Sequence, residues 1–138
     1  MRIFINFLML LFTLNAYGWE CPENYLDIDK NWSDRKNVFV ARVMKGEYSP
    51  RNSYAQRFSY ELSITAKLKG EIDDRLIISG DSNSLPLELS GEYIFFLDDS
   101  KLDLCTLVLP FSFAWSERTD IREADYVRKI IELSGYEP

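Results

Sequence analysis

Cys21 and Cys105 are the only thiols in the chain, and no histidine is present to activate either. A nucleophilic cysteine needs a base or a cationic neighbour that holds it as thiolate. The lack of imidazole also removes Ser-His-Asp and Cys-His sites and any metal site built on histidine. The chemistry left to the pair is oxidation to a disulfide, with two buried free thiols as the alternative. The carboxylates offer less. Asp27-Ile28-Asp29-Lys30-Asn31 mimics the start of a calcium loop, but Trp32 and Val38 stand where that loop needs glycine and glutamate. Asp73-Asp74 and Asp98-Asp99 with Asp103 read as turns. No carboxylate pair shows the desolvation that glycoside hydrolysis requires. Asn31-Trp32-Ser33 is a glycosylation sequon. The residues therefore assign no catalytic, cofactor-binding or metal-ligating set, and the expectation is a protein without enzymatic activity or cofactor.

The disulfide reading depends on compartment. Residues 1–18, MRIFINFLMLLFTLNAYG, place Arg2 before an apolar run from Ile3 to Leu14, followed by the small residues Ala16 and Gly18. This is the pattern of a cleavable secretory signal, with cleavage expected between Gly18 and Trp19. The run is too short for a stable span of about 20 residues, so no lasting membrane insertion is expected after cleavage. A secreted or periplasmic chain with an even cysteine count favours the bridge. The remaining residues, 19–138, suit one domain. With 46% hydrophobic and 28% charged residues the chain is globular in composition, and its net charge of −6 disfavours nucleic acid as a partner.

The elements that must position these residues are mostly strands. Between Arg57 and Lys69, Phe58, Tyr60, Leu62, Ile64, Ala66 and Leu68 alternate with polar residues, which predicts a long strand with one dry face. Val38–Met44 reads as the strand before it, followed by a polar loop from Lys45 to Gln56. Arg75–Ser79, Tyr93–Leu97 and Leu102–Leu109 read as three more, the last containing Cys105. Residues 23–37 suggest one or two helical turns. A closing helix is expected after the N-cap Asp120, with Ala124, Val127, Ile130 and Ile131 as its apolar stripe and Gly135 as its stop. Five strands and a closing helix predict a β-dominated fold, an OB-like five-stranded antiparallel barrel with a C-terminal α-helix. The competitor is an open α+β sheet with the helix on one face.

Three blocks arrive in the order of a known family. Val38-Phe39-Val40-Ala41-Arg42-Val43, then Lys67-Leu68-Lys69-Gly70, then Gly91-Glu92-Tyr93-Ile94-Phe95-Phe96-Leu97 followed by Cys105, resemble the netrin-like domains, the fold of the tissue inhibitors of metalloproteinases. The resemblance covers roughly residues 20–134. It implies an OB-like barrel, and it matches Cys21 to the family's second cysteine and Cys105 to that cysteine's usual partner. In the inhibitors a leading cysteine chelates the target protease's zinc through its α-amino group and carbonyl oxygen. Here Trp19 stands at that position, and the loop from Gly80 to Leu87 lacks the cysteine that would hold it.

Two functions follow as expectations. The first is an exported, non-enzymatic module that binds a protein or envelope partner through Tyr48, Pro50, Arg51 and Tyr54 with Ser82 and Asn83. The second is a metalloproteinase inhibitor that chelates through Trp19. The loop aromatics are not interleaved with enough basic residues for a single-stranded nucleic-acid platform.

Overall fold

A computed structural model describes residues 21–49, 57–81, 86–111 and 121–135. The expected leader, the aromatic stretch 112–115 and the N-cap Asp120 lie outside the described residues. The elements are α1 (Ile28–Asp34), β1 (Asn37–Ser49), β2 (Arg57–Lys69), β3 (Arg75–Asp81), β4 (Glu92–Leu97), β5 (Val108–Pro110) and α2 (Ile121–Ser134). All strand pairs are antiparallel, in the order β3-β2-β1-β4-β5.

The β3 edge of this sheet is bridged by the chain between β4 and β5. Ser79 of β3 forms a parallel bridge with Lys101, in which Ser79 N–H donates to Ser100 O at 2.9 Å and Leu102 N–H donates to Ser79 O at 2.7 Å. The result is the expected OB-like barrel, with its seam made by a bridge outside the named strands. The bridge pairs the β3 edge at Ser79, where an open sheet would leave it unpaired.

Two strands are buried on both faces, as their continuous apolar runs require. Phe39, Ala41 and Val43 of β1 and Tyr93, Phe95 and Leu97 of β4 point into the barrel, where they meet Tyr60, Leu62 and Ile78. Val38 and Val40, with Ile94 and Phe96, form a second core on the outer face. The helices cover that face through Ile28 and Trp32 of α1 and Tyr126 and Ile130 of α2. Phe39, Phe95 and Phe96 are fully buried, and each such burial stabilises by about 1.5–3 kcal/mol.

The alternation along β2 conceals a switch of faces. Ala41 pairs with Ile64 and Val40 with Ala66, so Thr65 is an extra residue in the ladder. A bulge shifts the side-chain phase by one residue. Phe58, Tyr60, Leu62 and Ile64 therefore face the barrel interior, whereas Ala66 and Leu68 pack in the outer core under the helices. The single dry face expected from the alternation is thus corrected to two half-faces.

Two boundaries also differ from expectation. β1 runs on through Lys45–Ser49, a stretch expected to be loop, because its backbone pairs with β2 as far as Ser49 opposite Arg57. Lys45 and Glu47 are exposed there, and the stretch reads by composition as a turn. The last strand is shorter than expected, and Cys105 lies in a turn. Asp103 Oδ1 accepts from Cys105 N–H at 2.9 Å and from Thr106 Oγ1 at 2.9 Å, and Thr106 Oγ1 accepts from Asp103 N–H at 3.0 Å. Short polar side chains have taken the backbone groups that a ladder would have used.

The helices are fixed at their ends. Asp27 caps α1 by accepting from Lys30 N–H at 3.1 Å. Lys69 Nζ donates to the carbonyls of Trp32, of Ser33 at 3.4 Å and of Arg35 at 2.7 Å. A cation there complements the negative end of the helix and satisfies carbonyls that have no partner within it. Helix α2 stops at Gly135, whose φ of 63° suits glycine and whose N–H donates to Ile131 O at 3.0 Å. Lys129 of α2 pairs with Asp29 of α1, which joins the two helices over the outer core.

Candidate binding surface

The register of three strands builds the surface. Tyr48 of β1 pairs with Phe58 of β2, Phe58 pairs with Gly80 of β3, and Arg57 pairs with Asp81. β1 and β3 therefore end at the same edge of the sheet, on either side of the start of β2. Pro50, Arg51 and Tyr54 belong to the connection after β1 and Ser82 and Asn83 to the one after β3; these five lie outside the described residues.

A row of rings runs up to this edge. Tyr60 is buried, Phe58 is half-buried and Tyr48 is 50% exposed. The ring centroids of Phe58 and Tyr60 are 6.4 Å apart and stacked, and those of Tyr48 and Phe58 are 5.6 Å apart and tilted. Tyr48 is thus an exposed aromatic packed against Phe58, which itself packs on the core. Tyr48 was expected in a loop; it stands on a strand, which fixes its direction.

The second connection is tethered on its far side by two tyrosines. Leu87 N–H donates to Tyr60 Oη at 3.3 Å and Glu88 N–H to Tyr93 Oη at 3.0 Å. Buried tyrosines need a partner for their hydroxyl, and here that partner is the returning chain. The sequence places Tyr60 on the dry face of one strand and Tyr93 at the start of another, but not this use, since alternation reports burial and not what a hydroxyl meets. On β1, Lys45 donates to Glu47, and this bond lifts the Lys45 pKa and lowers that of Glu47.

Cys21 and Cys105 are bonded, with their Cα atoms 5.3 Å apart. The bridge holds the leading segment against a cleft of about 350 Å³ lined by Tyr25, Asn31, Arg35 and Asp98, among others. Trp19, two residues ahead of the bridge, lies outside the described residues. The charges in this cleft are already paired: Lys30 with Asp34 at 2.9 Å, and Arg35 with Asp98 at 2.9 Å. Asn31, the acceptor of the sequon, is 5% exposed, and its Nδ2 donates to Tyr25 O and Asp27 O, each at 2.8 Å. The amide that a glycan would occupy is therefore engaged in the folded protein. Asp27, Asp29 and Asn31, which mimic a calcium loop in sequence, serve respectively as helix cap, ion-pair partner and segment clasp. Among the described residues no group of His, Cys, Asp or Glu is placed to hold a metal ion.

Asp98 joins the entry of β1 to the end of β4. Its carboxylate accepts from Lys36 N–H at 2.8 Å and pairs with Arg35, and these contacts, the backbone bond first, hold its pKa below the usual value of 3.8. A depressed carboxylate contributes stability above its unfolded pKa and loses it as pH falls through the folded one. Asp98→Ala is therefore expected to be less stable than wild type at pH 5–7, in urea unfolding at each pH. The gap should close below pH 3.8. A gap unchanged at low pH would mean that the carboxylate charge is not what Asp98 contributes.

Compared with models of known protein families and with curated proteins, the chain matches none.

Proposed function

We propose that the protein is an exported, non-enzymatic netrin-like module that binds a protein or envelope partner through the surface around Tyr48. The observation that carries this reading is the shared row Tyr48–Phe58–Gly80, which ends β1 and β3 at one edge of the sheet and presents there an exposed aromatic packed against Phe58. Rigid aromatics held by strands and flanked by loops are the usual anchors of protein recognition. The strand order and the Cys21–Cys105 pairing agree with what the family resemblance implies, and a disulfide suits an oxidising compartment.

The test is capture from envelope extracts by immobilised disulfide-bonded protein. The expected result is a specific partner whose capture falls at least tenfold with Tyr48→Ala combined with Arg51→Ala and Asn83→Ala. Capture unaffected by these changes would remove this surface as the binding site.

A second reading is favoured by the bridge itself, because it fixes the chain two residues beyond Trp19. In that reading Trp19, once terminal, offers its amino group and carbonyl oxygen to a metalloproteinase's zinc. Inhibition of a metalloproteinase should then vanish when one residue is added before Trp19 or when its amine is acetylated. Inhibition that survives both would reject chelation.

A further inference from the structure

At the other end of β1 from Tyr48 the barrel opens into a cleft of about 470 Å³. Its floor is apolar: Ile72 and Leu76 pack on the interior core and Leu97 is 3% exposed. Its rim carries Glu71, Asp73 and Asp99, all exposed, and no basic side chain lines it. Among the described residues none of these three carboxylates forms an ion pair, although their sequence neighbours Asp74 and Asp98 are neutralised by Lys67 and Arg35. Asp99 Oδ1 accepts from Lys101 N–H at 2.9 Å, a turn bond that leaves its charge uncompensated. The cleft thus differs from the one beside the disulfide, where the charges are already matched.

We propose that this cleft is a docking groove for an extended segment of a partner protein that carries lysine or arginine beside an aliphatic residue. A long cationic side chain lays its methylene stem on apolar surface and keeps its charged head among acceptors. The cleft supplies both, apolar surface from Ile72 and Leu76 and three uncompensated negative charges at its lip. Its volume lies within the range of about 300–1,000 Å³ typical of small recognition pockets. A bare divalent cation is the poorer occupant, because no described carboxylates converge closely enough to hold one. The groove is separate from the Tyr48 surface, so each can fail without the other.

The probe is a blocked, fluorescein-labelled hexapeptide of alternating lysine and leucine, titrated with the disulfide-bonded protein at low salt and followed by anisotropy. Saturable binding is expected, weakened at least tenfold by combined Glu71→Gln, Asp73→Asn and Asp99→Asn. The last of these keeps an acceptor for Lys101 N–H. Ile72→Ala should weaken binding several-fold, and added salt should weaken it further. A control with the same change in net charge, Glu23→Gln with Asp125→Asn and Glu132→Gln, should leave it unchanged, as should Tyr48→Ala. Thermal unfolding of each variant shows that it is folded. Absence of saturable binding, equal loss in the control, or equal affinity for a lysine–glycine hexapeptide would each overturn the proposal. So would self-association in sedimentation with no peptide binding, which would make a second copy the occupant.

Discussion

Replacing both cysteines, Cys21→Ser with Cys105→Ser, is expected to lower the unfolding free energy by about 4–5 kcal/mol, the chain-entropy value for closing so long a loop. The two residues are 84 positions apart, and every strand except β5 lies between them. Opening the bond therefore frees the unfolded segment that carries β1 to β4. In the folded state the leading segment keeps the turn bonds Tyr25 N–H to Pro22 O and Asp27 N–H to Asn24 O, at 3.0 Å each, and the Asn31 clasp on Tyr25. The barrel should therefore survive in the variant with reduced stability. Urea unfolding followed by the fluorescence of Trp32, which packs on the outer core, measures the shift. Addition of reductant to wild type should reproduce it. Equal midpoints with and without the bond would show that the bridge ties down only a segment that contributes nothing to the fold.

Gly70→Ala should cost about 3 kcal/mol or more, from backbone strain and overlap together. Gly70 has φ +82° at the end of β2, and a Cβ there would lie 2.4 Å from Lys36 O and 2.3 Å from Asn37 Oδ1. The carbonyl belongs to the backbone that enters β1 and cannot turn aside. Lys69, the preceding residue, holds the end of α1, so a shift at Gly70 disturbs the helix as well as the strand. Gly70→Asn separates the two causes: asparagine tolerates the left-handed backbone but still carries the clashing Cβ. It should recover only a part of the loss. Full recovery in the asparagine variant would show that backbone conformation, and not the close approach to Lys36, makes glycine necessary.

These two sites illustrate how much was legible. Gly70 marks the end of a strand in the sequence by its type alone, but its contact with Lys36 depends on a chain crossing more than thirty residues away. The cysteine pair was legible as a pair because two thiols admit a single pairing. That Cys105 sits in a turn was not, because Leu102, Leu104 and Leu107 carry the apolar residues of a strand while the Thr106 hydroxyl accepts from Asp103 N–H and the Asp103 carboxylate from Cys105 N–H. Tyr48 was read as a loop aromatic because Lys45, Gly46 and Glu47 resemble turn chemistry. Pairing with β2 overrode that local preference, as long strands often do to their neighbours. The acidic cleft was missed as a unit: Glu71-Ile72-Asp73 and Asp99 are far apart in the chain, and each alone reads as a solvated turn.

Strand identity, the doubly buried character of β1 and β4 and the stop at Gly135 are all carried by local residue type and spacing, since burial periodicity and backbone permissiveness act over a few residues. The face that each half of β2 presents was decided only by the ladder. The extra residue Thr65 reverses the phase between Ile64 and Ala66, although both sit on the same beat of the alternation. The bridge of Ser79 to Lys101, and the shared row of Tyr48, Phe58 and Gly80, likewise arise from the curl and register of the sheet. Those are long-range pairings, and a one-dimensional pattern specifies which residues want partners without specifying which partners they find.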